Sequence, residues 1–155
     1  MSGSRSFPTS DASEKPDRSE IVLSLKTVQK MLPLVRSIAS DILAQQRIIL
    51  ALQPEEERLD RQKRQLDWPG RQRRYQVKEE LLAADLKVQA ARAELQELGL
   101  VLLEEAMARI GFPTLVNNRR AYFSWHPGDD SLHSWQFAEE EIQHPIPQAW
   151  LKELA

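Results

Sequence analysis

Cysteine is absent from the 155 residues. That excludes disulfide staples, thiol nucleophiles and cysteine-based zinc or iron–sulfur sites. Glycine is scarce, with five residues, and no glycine-rich phosphate loop can be composed from them. No sign of charge dominates: 21 basic and 23 acidic residues leave a formal net charge of −2, unlike strongly basic nucleic-acid-binding domains. The longest apolar run, Ile48–Leu52, falls far short of the roughly 18 residues needed to span a bilayer. The first nineteen residues carry no apolar stretch of the signal-peptide kind, so a cytoplasmic location is expected. What is present, 41 % apolar and 28 % charged residues, is the composition of a chain that can bury a core.

Residues 1–19 hold six serines, Pro8, Pro16 and mixed charges around a lone Phe7. Too little apolar surface is available there to offset ordering entropy, so a disordered tail is expected, followed by one domain over residues 20–155. Ser24 is placed to cap a helix. From there the residues form a heptad, Val28, Val35, Ile42 and Ile49 in one row and Met31, Ile38, Gln45 and Leu52 in the other, which keeps them on one helical face. Pro33 predicts a kink or restart, and Gln53-Pro54-Glu55-Glu56-Glu57 predicts a break with a new helix start. Trp68-Pro69-Gly70 predicts a stop and chain reversal. A second heptad, Val77, Leu81, Ala84, Val88, Ala91, Leu95 and Leu98, then runs to Gly99, which suits a left-handed C-cap. The expected fold is mainly α: a long, coiled-coil-like antiparallel helical hairpin over residues 24–99. Its stripe is either hairpin core or, in part, a seam for another chain through Val28, Val35, Ile42, Ile49, Val77, Leu81, Val88 and Leu95. Self-association follows from the second reading, since one antiparallel contact does not cover both stripes.

Residues 100–155 differ in texture, with all three histidines and three of the four tryptophans. Phe112–Val116 and Ala121–Trp125 flank Asn117-Asn118-Arg119-Arg120, a credible β-hairpin because asparagine tolerates positive φ. Pro127-Gly128-Asp129-Asp130 predicts a second turn and Ser131–Trp135 a third strand. A small antiparallel meander is therefore expected, with the helices covering its apolar face.

Candidate chemistry is thin. His126, Asp129 and His133 are the best metal ligands available, but surface polar residues explain them better, and no metal or cofactor is expected. Ser124 or Ser134 lacks any nucleophile-elbow context. Trp125 and Trp135 fit packing better than base stacking. Charge is unevenly spread: residues 58–74 hold Arg58, Arg61, Lys63, Arg64, Arg71, Arg73 and Arg74 against Asp60 and Asp67, whereas residues 129–155 hold six acids against Lys152. The basic tip is either a solvated hairpin end or a contact for an acidic partner, nucleic acid or membrane surface.

Gly111-Phe112-Pro113, Ala121-Tyr122-Phe123-Ser124-Trp125, Gly128-Asp129 and Trp135-Gln136 resemble an uncharacterised bacterial family, domain-of-unknown-function family twenty-two-oh-three. Its pattern runs D-F-P, V-Y-L-C-W, G-E and W-H, and its N-terminal pattern is similar to Leu23–Arg36. The resemblance implies the fold and no activity. It also marks a departure: the family's Asp, Cys, Glu and His stand here as Gly111, Ser124, Asp129 and Gln136. If the family shares a chemical site there, this copy is expected to have lost it. The functional expectation is a non-enzymatic protein-interaction or scaffold protein using its heptad seams. The alternatives are a nucleic-acid-associated protein gripping phosphates through Arg58, Arg61, Arg64, Arg71, Arg73 and Arg74, and a metal-dependent enzyme.

Overall fold

The structure, a computed structural model, describes residues 22–152; the expected tail over residues 1–19 lies outside them. Two long helices, α1 (Leu25–Arg61) and α2 (Trp68–Glu97), come first. Five strands follow, β1 (Val101–Glu104), β2 (Arg109–Val116), β3 (Arg119–Trp125), β4 (Ser134–Phe137) and β5 (His144–Pro145), and then a short α3 (Gln148–Lys152). The strands pair antiparallel in sequence order, a simple meander.

Local chemistry explains the ends of the elements. Ser24 Oγ accepts the Thr27 amide at α1's first turn, as the N-cap position favours. At the end of α2, the Leu100 amide donates to the Leu95 carbonyl and the Gly99 amide to Gln96, with Gly99 at φ 82°. That pairing is a Schellman motif, closed by contact-grade burial of both Leu95 and Leu100. Asn117 and Asn118, at φ 52° and 62°, form the two-residue turn between β2 and β3. Positive φ at both central positions gives the twist a tight hairpin needs.

Three expectations are corrected. The helix neither restarts at Pro33 nor ends near Pro54; α1 runs through both to Arg61. Both prolines are exposed, so the carbonyls they free, at Gln29 and Leu50, lie on the hydrated side of the helix, where the lost bonds are least costly. Trp68-Pro69-Gly70 starts α2 instead of stopping α1. Asp67 caps it, its carboxylate accepting the Gly70 amide at 2.8 Å, and proline suits the first turn. The third strand of the expected meander begins at Ser134, three residues later than expected, and β1 and β5 enlarge the sheet from three strands to five.

The core lies between the hairpin's open end and one face of the sheet. Val28, Leu32, Val35, Ile38, Ala39 and Ile42 of α1 join Ala91 and Leu95 of α2, and these meet Ile110, Phe112, Phe123 and Trp125. This cluster stops at Ile42 on α1 and Ala91 on α2. Beyond it, about 28 Å of paired helix stands clear as an arm, with its own narrow seam of Leu59, Val77, Ala84 and Val88. Glu105, in the β1–β2 turn, ties sheet to hairpin by accepting from Arg92 of α2 and Gln46 of α1. Arg36 adds a second tie, donating to the Asp130 carbonyl at 2.5 Å.

Trp125 is 1 % exposed and its indole N–H donates to the Asp129 carbonyl. Trp125→Ala should therefore lower unfolding stability by about 3–5 kcal/mol. Truncation of Met107, which is exposed, should stay within about 0.5 kcal/mol. Denaturant unfolding of both variants checks the contrast.

Candidate functional site

The sheet face turned away from the helices carries the chain's buried polar network. Antiparallel register puts Gly111 opposite Ser124, and Gln136 of β4 opposite Tyr122, two residues from Ser124. Alternation along each strand puts all of them, with Arg109, on one face. Arg109 Nη1 donates to Ser124 Oγ at 3.1 Å and to Gln136 Oε1 at 2.7 Å. Gln136 Nε2 in turn donates to the Glu140 carbonyl at 2.9 Å. Ser124 and Gln136 are buried, and the Arg109 side chain is 14 % exposed, with Glu104 at 4.0 Å from its Nε. A guanidinium held between two neutral acceptors is a satisfied polar brace. Among the described residues, Ser124 Oγ meets Arg109 and neither an imidazole nor a carboxylate, so no base is set to activate it.

Thus three of the four departures that the family resemblance marks, Gly111, Ser124 and Gln136, are neighbours. The fourth is elsewhere: Asp129 lies in the β3–β4 loop, its carboxylate 3.8 Å from His126 Nδ1. At Gly111 a Cβ would come within 2.9 Å of the Leu103 side chain, so β1 fills the space a larger residue would need. Arg109, the centre of this network, is a residue the sequence reading missed. The signal lay in the alternation: Arg109 stands two positions before Gly111, on its face, in a strand the reading began only at Phe112.

The remaining candidates scatter. Among the described residues no group of three His, Asp or Glu is placed to hold a metal, and His133 is exposed, outside the His126–Asp129 pair. Of the expected seam, Val28, Val35, Ile42, Val77, Val88 and Leu95 are at most 1 % exposed within this one chain, while Ile49 and Leu81 are half-buried. The hairpin and sheet use these residues themselves.

The basic tip is likewise partly consumed. Arg73 makes a two-pronged contact with Glu55 at 2.7 and 2.8 Å, Arg74 binds Asp60 at 2.8 Å, and Lys78 bridges Glu56 and Asp60, both at 3.2 Å. Arg58 lies 3.9 Å from Glu55, and Arg71 donates to the Leu66 carbonyl. The Arg73 hydrogen bonds hold the Glu55 carboxyl below its ordinary value, and those from Arg74 and Lys78 do the same for Asp60. Reciprocally, Glu55 raises Arg73, and Glu56 with Asp60 raises Lys78. Arg61, Lys63 and Arg64 at the very tip are exposed and make no such pair among the described residues.

The arrangement is that of a helical arm on a small braced sheet, with no assembled reactive centre among the described residues. The family model for "Uncharacterized conserved protein (DUF2203)" matches residues 22–144, and the chain belongs to that family. Comparison with curated proteins and with solved structures found no match. No helix among the described residues is long and apolar enough to cross a membrane.

Two outcomes follow from this geometry. Gly111→Ala should destabilise the fold by about 1–3 kcal/mol through crowding against Leu103, and by clearly less in a Leu103→Ala background. Equal costs in both backgrounds, read by denaturant unfolding, would contradict the contact. The second concerns pH. The folded-state values of Glu55 and Asp60 lie below their unfolded ones, so their contribution is complete above the ordinary carboxylate range. It is lost as pH falls through the depressed folded values. Between about pH 7 and pH 3, the melting temperature of the wild-type chain should fall more than that of Glu55→Gln/Asp60→Asn.

Proposed function

We propose that this protein is a non-enzymatic protein-interaction module that presents a helical arm from a small sheet platform. The observation that carries this reading is on the outer side of α2. Trp68, Tyr75, Leu82 and Leu86 are 64, 63, 61 and 59 % exposed, and their spacings of seven, seven and four residues align them on the side opposite the Val77–Val88–Leu95 seam. Large apolar side chains gathered on one exposed stripe are the mark of a partner surface. The Arg109–Ser124–Gln136 network supports the non-enzymatic part, because it braces the platform and, among the described residues, ties up Ser124 with a cation and not a base.

A second reading, nucleic-acid association, rests on Arg61, Lys63 and Arg64 beside the exposed Trp68 at the tip, a cation-plus-aromatic grouping. Its mark would be binding of mixed single-stranded nucleic acid that collapses with added salt and disappears in Arg61→Ala/Lys63→Ala/Arg64→Ala. Metal-dependent catalysis finds no ligand group to support it among the described residues.

The interaction reading is tested by crosslinking in the native cell followed by mass spectrometry. Leu82→Lys/Leu86→Lys should reduce crosslinked protein species, copies of the chain included, by about tenfold or more. An undiminished set would contradict the reading.

A further inference from the structure

We infer that the occupant of the α2 stripe is a second copy of this chain, lying antiparallel so that the two α2 helices pack back to back with each α1 on the outside. The inference rests on the interaction reading and adds the identity and orientation of the partner. The stripe is Trp68, Gln72, Tyr75, Glu79, Leu82, Leu86, Gln89 and Ala93, in alternating steps of four and three, a heptad seam about 38 Å long. These positions are symmetric about the midpoint between Glu80 and Leu81. An isologous, two-fold contact requires this symmetry: turned end for end, the stripe meets itself in register. Trp68 then faces Ala93 of the other copy, the bulkiest side chain against the smallest, and Tyr75 faces Leu86.

Charge selects the same orientation. One end of the arm carries the exposed Arg61, Lys63, Arg64 and Arg71, and the other end of α2 carries the exposed Glu94 and Glu97 with no lysine or arginine after Arg92. Antiparallel arms set each basic tip against the acidic end of its partner's helix, where the helix dipole is also negative. Parallel arms would stack the two tips and repel. Gln72 faces Gln89, two neutral amides, and the one charged position of the seam is Glu79, an exposed carboxylate facing Leu82 near the axis. It makes the association reversible, and it supplies a test by gain.

Sedimentation of the full chain from about 1 to 100 µM should show a concentration-dependent monomer–dimer equilibrium. Glu79→Leu should tighten it by about tenfold or more, and Leu82→Lys should leave a monomer with unchanged helical circular dichroism. Because the chain has no cysteine, engineered thiols report orientation. A mixture of Tyr75→Cys and Leu86→Cys should form the mixed disulfide on oxidation, and Tyr75→Cys alone should not bridge. A wild-type chain and a Glu79→Leu variant that both stay monomeric would overturn the inference, as would bridging of Tyr75→Cys with itself. In the monomeric case the interaction reading survives if Leu82→Lys/Leu86→Lys still loses its crosslinked partners in the cell, and fails if it does not.

Discussion

Everything in this molecule depends on how the sheet's inner face is covered. Phe112, Phe123 and Trp125 would be left in water by a bare five-stranded meander, and three or more strands with an apolar face need a second layer to persist. The first five turns of α1 and the last turns of α2 supply it. Two features fix the hairpin in that place: the Schellman closure at Gly99, which turns the chain directly from α2 into β1, and Glu105, which joins the first sheet turn to both helices. Cover is mutual, since Val28, Val35 and Leu95 would be equally exposed without the sheet.

That mutual cover leaves the rest of the hairpin outside. Past Ile42 and Ala91 the two helices have only each other, a narrow seam and a lattice of ion pairs between Glu55, Glu56, Asp60 and Arg73, Arg74, Lys78. Exposed ion pairs contribute little individually, but these cross between helices and fix the register of the arm. They also use up cations that the composition alone would assign to a ligand. What remains unspent is the exposed Arg61, Lys63 and Arg64 at the tip and an apolar stripe on the far side of α2. The platform's outer face is closed in a different way, by the Arg109 brace on Ser124 and Gln136 and by Leu103 over Gly111. The three positions that the resemblance marks there are a glycine packed against Leu103 and two neutral acceptors.

Where local chemistry decides, the sequence was legible. Ser24, Gly99 and the Asn117-Asn118 turn each act through a bond or a φ value that belongs to the residue itself, and all three stand where expected. The heptad rows also located the buried faces of both helices. Longer-range effects were not legible. Glu105-Ala106-Met107-Ala108 has no glycine, proline or asparagine to signal a turn, yet it is a β-turn with Ala108 at φ 54° and fully buried, so β1 went unseen. Pro54 reads as a break, but its side of the helix faces water and Leu59 beyond it is buried. The adjacency of Gly111, Ser124 and Gln136 needs strand register, and Arg109 needs the strand's true start. The inner heptad of α2 also masked a second, outer one, because both draw on the same run of residues.

The chain divides into a core locked by mutual cover and an arm whose outer stripe, on the inference above, is closed by another copy. Hydrogen–deuterium exchange of the full chain at low and high protein concentration tests it most directly. Amides of residues 28–42 and 110–125 should exchange slowly at both concentrations, as deep elements do, while those of residues 68–93 should gain protection as concentration rises. Protection over residues 68–93 that is the same at both concentrations would contradict the claim.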